Sequence, residues 1–458
     1  MDILVHCFGV SFVVGLLIAF LFKRRQRTES VCIIVLGDVG RSPRMQYHAA
    51  SFAKEQYAVE IVGYKGSPPL EKLQNDPNVK IHYLHSYPDL KQNFSKTLAY
   101  TVKVIWQSTD LLYTLLFKCS SSFLLLQNPP AIPTIPICWF YCLIRKIEFA
   151  IDWHNYAYTI MALSLSEKHR LVKLATLIES LYGTKAKHNF CVTKAMQEDL
   201  KKRWNIQAQV LYDRPPEEFQ PISLEEKHNF LLKLSNDYKI LKGSEETSTI
   251  ISKQQPSGEI ELYNNRPALI VSSTSWTEDE DFSILLDALI NYETECENNK
   301  NIKLPDLFCA ITGKGPLKEF YQAIIKNKKW KHVKIITPWL ENRDYPKLLA
   351  SADLGVCLHT SSSGLDLPMK IVDMFGCGLP VCAYNFKCLH ELVRHNENSL
   401  VFSDVNQLSD QLISWFKNFP NDAEQQETNK KFKKELSVFQ QNRWHDNWRQ
   451  TVLPCFEC

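Results

Sequence analysis

Apolar and polar positions along this chain change in blocks rather than residue by residue. From Val31 onward, short runs rich in β-branched and aliphatic residues are separated by stretches with helical spacing. The runs Val31–Leu36, Val59–Gly63, Lys80–Leu84, Phe123–Leu126, Phe149–Asp152, Asn189–Val192 and Gln209–Leu211 predict strands. Pro43–Lys54, Ser95–Leu116 and Glu167–Tyr182 predict helices between them. Strands without alternation are covered on both faces, the pattern of a doubly wound, mostly parallel α/β sheet. Asp213-Arg214-Pro215-Pro216 marks a boundary. Residues 242–266 are rich in Ser, Thr, Glu and Gln, which predicts a disordered surface insertion. The alternation then restarts at Ala268–Ser272 and continues through Leu307–Thr312, Val333–Ile336, Leu354–Leu358 and Val381–Tyr384 to Leu400–Phe402. Two doubly wound domains are expected, residues 30–212 and 213–416, with a helical tail over 417–458 in which Trp444 and Trp448 pack at i and i+4. Two such domains facing each other would bring the carboxyl ends of both sheets to one cleft, where ligands of open α/β sheets bind.

One apolar block is longer than any strand. Residues 3–22 are apolar and are followed by Lys23-Arg24-Arg25-Gln26-Arg27. A helix of that length spans roughly 30 Å, the thickness of a bilayer core. A cleavable signal peptide carries its charge before the apolar stretch and a small-residue site after it. Here the charge follows, so the pattern predicts one retained transmembrane helix with the body of the chain in the cytosol. A second apolar stretch, Ile135–Ile144, is interrupted by Pro136 and closed by Arg145-Lys146. It reads either as an amphipathic element at a membrane interface or as a segment buried against the sheet.

With 458 residues, 45% hydrophobic and 22% charged, the chain can bury two cores. A net charge of +3, dispersed apart from the cluster after residue 22, gives no nucleic-acid footprint. Of the 14 cysteines, Cys32, Cys191, Cys309 and Cys357 fall inside predicted strands, the use made of reduced, buried thiols. Cys455 and Cys458 form a C-x-x-C with no second pair or His cluster, so no metal site is expected.

Four loops at predicted strand ends carry chemistry. Gly37-Asp38-Val39-Gly40-Arg41-Ser42-Pro43-Arg44 joins the first strand to the first helix. Gly37 and Gly40 allow a tight turn, and Arg41 and Arg44 can reach one anionic group. Ser42 is placed to cap the helix with Pro43 at its first position. A capped helix with surface charges is the alternative. Asp152-Trp153-His154-Asn155-Tyr156 ends another strand, where Asp and His suit general-base work and Trp and Tyr suit stacking on a sugar. Gly313-Lys314-Gly315-Pro316 is a glycine turn with a cation before a helix, suited to a phosphate. The stretch from Ser361 to Val381 supplies a small-residue loop with Ser363 and Gly364. A helix follows, with Lys370 and Asp373 on one face, and then Gly376-Cys377-Gly378-Leu379-Pro380. A lysine in a helix's first turn is the wrong charge for the dipole, and a bound phosphate would explain it.

Together the segments Gly37–His48, Asp152–Tyr156, Gly313–Pro316 and Ser361–Pro380 resemble a known family. It comprises the β-1,4-mannosyltransferases that add the first mannose to dolichol-linked chitobiose in N-glycan assembly. The resemblance implies a GT-B fold of two Rossmann-like domains, with GDP-mannose as donor and dolichyl-diphosphate-chitobiose as acceptor. It implies a single-pass protein on the cytosolic face of the endoplasmic reticulum membrane, alongside other mannosyltransferases of the pathway. The acceptor would lie on Gly37, Gly40, Arg41, Arg44, Asp152 and Trp153. The donor would lie on Gly313, Lys314, Gly315, Ser363, Gly364, Lys370 and Asp373. Related GT-B transferases carry a spaced pair of Glu before a C-G-x-P-like turn. Here the second position is Asp373, a ribose ligand by that correspondence. The first is Leu365, with Asp366 one residue later as the contact to mannose. An α-linked donor giving a β product implies inversion with one general base, for which Asp38 is the first choice and His154 the second. Lys314 and Lys370 would stabilise the departing GDP, with no metal or other cofactor expected. A transferase using another sugar nucleotide, or a non-catalytic membrane subunit of the same shape, remains open.

Overall fold

The computed structural model describes residues 29–87, 96–277, 280–298 and 303–456. The expected anchor over residues 3–22, its basic flank and Cys458 lie outside them. Among the described residues no helix is long and apolar enough to cross a membrane.

The chain divides into two compact units, one running to Tyr212 and resuming at His445, the other Asp213–Trp444. In the first unit the strands are β1 (Ser30–Asp38), β2 (Ala58–Tyr64), β3 (Val79–Leu84), β4 (Phe123–Asn128), β5 (Glu148–Trp153), β6 (His188–Cys191) and β7 (Gln209–Val210). They form one parallel sheet in the order β3-β2-β1-β4-β5-β6-β7. The helices are α1 (Pro43–Lys54), α2 (Glu71–Gln74), α3 (Lys96–Phe117), α4 (Thr134–Arg145), α5 (Ala157–Ser164), α6 (Arg170–Gly183) and α7 (Lys194–Trp204). Val31, Cys32, Ile33, Ile34 and Leu124–Leu126 are fully buried, which is why these strands read as apolar on both faces.

The second unit opens with α8 (Leu224–Asp237), closed at its start by a capping box between Ser223 and Glu226. Its short strands β8 (Ser252–Gln254) and β9 (Ile260–Leu262) pair antiparallel. The remaining strands are β10 (Ala268–Ser273), β11 (Leu307–Thr312), β12 (Val333–Ile336), β13 (Leu354–Cys357), β14 (Val381–Tyr384) and β15 (Leu400–Phe402). They form a parallel sheet in the order β12-β11-β10-β13-β14-β15. Its helices are α9 (Ser283–Asn298), α10 (Lys318–Asn327), α11 (Tyr345–Ser351), α12 (Met369–Gly376), α13 (Val405–Phe416) and α14 (Ala423–Gln441), and α15 (Trp444–Thr451) leads back to the first unit.

Two expectations are corrected. Residues 242–266 are ordered: the β8–β9 hairpin is anchored by buried Ser248, Thr249, Ile251 and Ser252, and Ser252 Oγ lies 2.8 Å from His228 Nδ1 on α8. Small polar residues read as disorder in the sequence, yet they satisfy one another in tight turns. The tail over 417–458 is not one appendage either. Helix α14 packs on α12 in the second unit, whereas Trp448 and Phe456 pack edge-on against Phe52 of α1 at 4.7 and 5.0 Å.

In both sheets the order reverses beside the first strand, between β1 and β4 and between β10 and β13. The crevice outside the carboxyl ends at such a switch point is where doubly wound sheets bind ligands.

Candidate functional site

In the first unit the carboxyl edge is organised around one buried carboxylate. Asp152, at the end of β5, is fully buried. Arg44 of α1 grips it in a fork, Nε at 2.7 Å from Oδ2 and Nη2 at 2.9 Å from Oδ1, and sends Nη1 to the Leu211 carbonyl at 2.9 Å. His48 lies one helical turn after Arg44, so its Nε2 reaches the same Oδ2 at 3.1 Å. Trp448 Nε1 donates to His48 Nδ1 at 2.9 Å. Because indole only donates, His48 is neutral with its proton on Nε2, which donates to Asp152. Burial lowers the His48 pKa despite the carboxylate, in agreement with that assignment. Burial also opposes ionisation of Asp152, but the Arg44 charge and the two imidazoles outweigh it and hold the carboxyl well below its usual range.

His154 completes the group. Its Nε2 lies 2.8 Å from Asp152 Oδ2, and its side chain keeps 22% exposure whereas Asp152 has none. The Asp152 carboxylate therefore fixes the ring with its proton on Nε2 and turns Nδ1 into the nitrogen open to a proton. Asp38, the first choice for a base, is engaged otherwise: Oδ1 accepts from Gly40 N at 2.9 Å and Oδ2 from Ser67 N at 2.8 Å. It shapes the loop. A Cβ on Gly40 would sit 2.2 Å from the Ser67 carbonyl, so that glycine serves the close approach of two backbones.

The acceptor set read from the sequence thus divides. Arg41 is exposed and free to meet an anion. Arg44 is 2% exposed and committed to Asp152, so it does not grip a ligand. Trp153 is fully buried, with Nε1 donating to Asn189 Oδ1 at 2.8 Å, and Tyr156 is fully buried with its hydroxyl on Asp199 at 2.9 Å. Neither ring is a stacking platform. Ser42 precedes α1 but makes no side-chain capping bond.

Glu179 of α6, which the motif reading passed over, is buried behind the same edge. It accepts from Asn128 Nδ2 and Ala157 N, both at 2.7 Å, so it caps α5 from a neighbouring helix. Burial pushes its carboxyl from 4.5 up to about 7 against these hydrogen bonds. A raised carboxyl pKa means the folded state keeps the proton, a contribution fully present below pH 4.5 and lost as pH rises through about 7. The melting temperature of the wild type minus that of Glu179→Gln should therefore fall across that window. A difference independent of pH would refute it.

In the second unit the switch point gathers three loops. Glu280 is buried; Oε2 accepts from Thr274 Oγ1 at 2.5 Å and Ser275 N at 3.1 Å, and Oε1 pairs with Lys370. Lys370, in the first turn of α12, keeps 23% exposure. Its charge is therefore met on one side by Glu280 and open on the other. Asp366 Oδ2 lies 3.3 Å from His359 Nε2, and its carboxylate also accepts from Ser361 Oγ. Ser363 Oγ accepts from Leu365 N at 3.2 Å, and Gly364 takes φ +71°. These two residues build the loop. Burial, then the Asp213 charge, raises the Asp373 pKa well above the carboxylate range. A neutral carboxyl offers both a donor and an acceptor, which suits a diol.

Lys314 stands over the Trp339 ring at 4.0 Å. The turn it belongs to is set by packing: Gly313 has φ +144°, and a Cβ there would sit 1.8 Å from the Thr274 carbonyl. A Cβ on Gly315 would sit 1.7 Å from the Ser275 carbonyl. Lys318 Nζ braces the turn through the Gly313 and Thr337 carbonyls, both at 3.2 Å. In the sequence Trp448 reads only as a packing residue of the tail, and His48, Glu179, Glu280, Lys318 and His359 were not singled out. Only His48 left a trace there, at i+4 from Arg44.

Residues 253–434 match the family described as glycosyl transferases group 1. The chain is 47% identical over 440 residues to the chitobiosyldiphosphodolichol beta-mannosyltransferase of Pongo abelii, covering 94% of each chain. It is 43% identical over 450 residues to the UDP-glycosyltransferase TURAN of Arabidopsis thaliana, covering 92% of this chain and 96% of that one. A glycosyltransferase from Rickettsia africae aligns with a TM-score of 0.60 at 12% identity, over 94% of this chain and 98% of that one. That likeness bears on the fold alone, and the fold is GT-B.

Proposed function

The chain belongs to the chitobiosyldiphosphodolichol β-mannosyltransferases, and from that membership we propose that it transfers mannose from GDP-mannose to dolichyl-diphosphate-chitobiose. The identity of 47% across 94% of both chains carries the reading. The product is a β-1,4 linkage formed with inversion in N-glycan precursor assembly. The acceptor belongs to the first unit, where Arg41 meets the diphosphate. His154 Nδ1 takes the proton from the attacking hydroxyl as the bond to the anomeric carbon forms. Asp152 holds the ring and stabilises the imidazolium, a role it fills without being protonated. In the second unit Lys370 and Lys314 meet the charge that develops on the leaving GDP. Asp373 holds the ribose and Asp366 the mannose.

The plant relative is named a UDP-glycosyltransferase, which leaves the donor base as the point to test. Incubating the detergent-solubilised protein with a lipid-linked chitobiose should give product from GDP-mannose and none from UDP-N-acetylglucosamine. Comparable product from the UDP sugar would overturn the donor assignment and favour a transferase of different nucleotide use.

A membrane-bound substrate agrees with the surface of the first unit. Exposed large apolar side chains gather on four of its helices: Ile105 and Phe117 on α3, Leu143 on α4, Leu163 on α5, Leu177 and Leu181 on α6. Helix α3 packs on α4, α4 on α6 and α6 on α5, so these faces are contiguous. Lys118, Arg145, Lys173 and Lys185 lie on or beside the same helices. An apolar face fringed by cations fits the headgroup boundary of an anionic bilayer, and the endoplasmic reticulum's cytosolic leaflet is the setting we assign. In a chain lacking residues 1–28, Leu177→Asp with Leu181→Asp should reduce co-sedimentation with anionic vesicles at least about tenfold, since each buried leucine contributes about 1.5–3 kcal/mol. Unchanged binding would return this face to solvent.

A further inference from the structure

Sheet one holds a second cluster of chemistry-bearing side chains, toward the amino ends of its strands and so away from the Asp152–His154 edge. Cys32 of β1 stands opposite Glu60 of β2, and Val62 opposite His82 of β3. Glu60 and Val62 are two apart on one strand, so Cys32, Glu60 and His82 share one face of the sheet. Cys119, in the loop between α3 and β4, is buried against that face at 3% exposure. One ligand atom each from Glu60, His82 and Cys119 lie within 4.8 Å of one another. The Cys119 thiol also neighbours that of Cys32.

The polar atoms of this group are arranged unlike a settled hydrogen-bond network. His82 Nε2 is buried and makes no hydrogen bond among the described residues, although Glu60 Oε1 stands 3.5 Å away. A buried nitrogen without a hydrogen bond needs a physical account, and a bound cation would give one. Glu60 Oε2, by contrast, is fixed by Ser120 N at 2.8 Å and Ser121 Oγ at 2.6 Å. That pair orients the carboxylate as outer partners orient a metal ligand and leaves Oε1 facing the cluster.

We propose that Glu60, His82 and Cys119, with Cys32 as the fourth donor, form a binding site for a divalent cation of the zinc class. A sulfur, nitrogen and oxygen set is borderline-soft and selects zinc over magnesium or calcium. Metal–ligand bonds of about 2.0–2.3 Å put the ligand atoms of a tetrahedral site about 3.3–3.8 Å apart. The atoms of Glu60, His82 and Cys119, within 4.8 Å of one another, close by up to about 1 Å, and Cys32 Sγ, which is not within that distance of all three, moves further. His82 binds as the neutral ring through Nε2. Each bound thiol gives up its proton to solvent as its bond to the metal forms, so affinity rises with pH. The ion would tie the loop after α3 to β1, β2 and β3. That loop sets the exit of a helix in the apolar face, which makes the site structural rather than catalytic.

The test uses the full chain in detergent, stripped with a chelator and titrated with cobalt(II) as the spectroscopic probe. A thiolate-to-cobalt absorption band should appear with one equivalent and be displaced by zinc, and zinc should raise the melting temperature of the stripped protein. Cys119→Ser and His82→Gln should each weaken zinc binding at least about tenfold, the loss seen even for outer partners of a metal. Cys455→Ser, outside the cluster, should leave it unchanged. Absence of the band in folded wild-type protein would overturn the proposal whatever the variants do. A band that persists in the Cys32→Ser, Cys119→Ser double variant would overturn it as well, by placing the sulfur elsewhere.

Discussion

Replacing His154 by alanine should lower kcat by about 10²–10⁴ while GDP-mannose binding and the fold persist. The size is what the loss of a general base brings, the role proposed for His154. The selectivity follows from position: the ring keeps 22% exposure, and its anchoring contact is a single bond to Asp152, so truncation opens no core cavity. Asp38→Asn gives the contrast. Its two carboxylate bonds go to Gly40 N and Ser67 N, which an amide oxygen replaces only in part. The loop should loosen and KM rise, with kcat within about threefold, because that bond is made in ground and transition states alike. The opposite pattern, with turnover lost in Asp38→Asn and kept in His154→Ala, would return the base to Asp38.

Asp152→Ala should be the most damaging substitution for stability in the first unit. It leaves the Arg44 guanidinium, 2% exposed, without its carboxylate, and removes the acceptor for both His48 and His154. Breaking a buried pair from one side costs about 3–5 kcal/mol, because the remaining charge stays desolvated. For a unit of this size that is a fall of about 6–20 °C in melting temperature, read by calorimetry. Removing both partners together, as Arg44→Met with Asp152→Leu, should cost less than Asp152→Ala alone. A double variant less stable than the single one would show that the ion pair is not what the unit depends on. The paired carboxyl has a lowered pKa, so its contribution is present above the unfolded value of about 3.9 and is lost as pH falls toward the folded one.

Much of the architecture was legible from local patterns. Strands without alternation state that both faces are covered, and glycine or proline at their ends states where the turns fall. Gly40, Gly313 and Gly364 were read as loop residues for that reason, and each is needed by its backbone. The chemistry at the sheet edge was half legible. The sequence put Asp152 and His154 at one sheet edge because Asp152–Tyr156 follows an apolar strand. It offered Arg44 as a ligand group because nothing local distinguishes an arginine facing solvent from one turned inward.

What decided these roles is contact between positions far apart in the chain. Arg44 and Asp152 are 108 residues apart, His48 and Trp448 are 400 apart, and Lys370 and Glu280 are 90 apart. A charge is a binding group or a buried clamp according to what desolvates it, and desolvation is a property of the packed unit. The same holds for the hairpin within residues 242–266, whose small polar side chains satisfy one another only once folded. Sequence alone therefore determined the two parallel sheets and the edges at which chemistry collects. Tertiary structure alone determined that Asp152 is a buried anchor, that His154 is the group left facing outward, and that Asp38 and Arg44 belong to the framework.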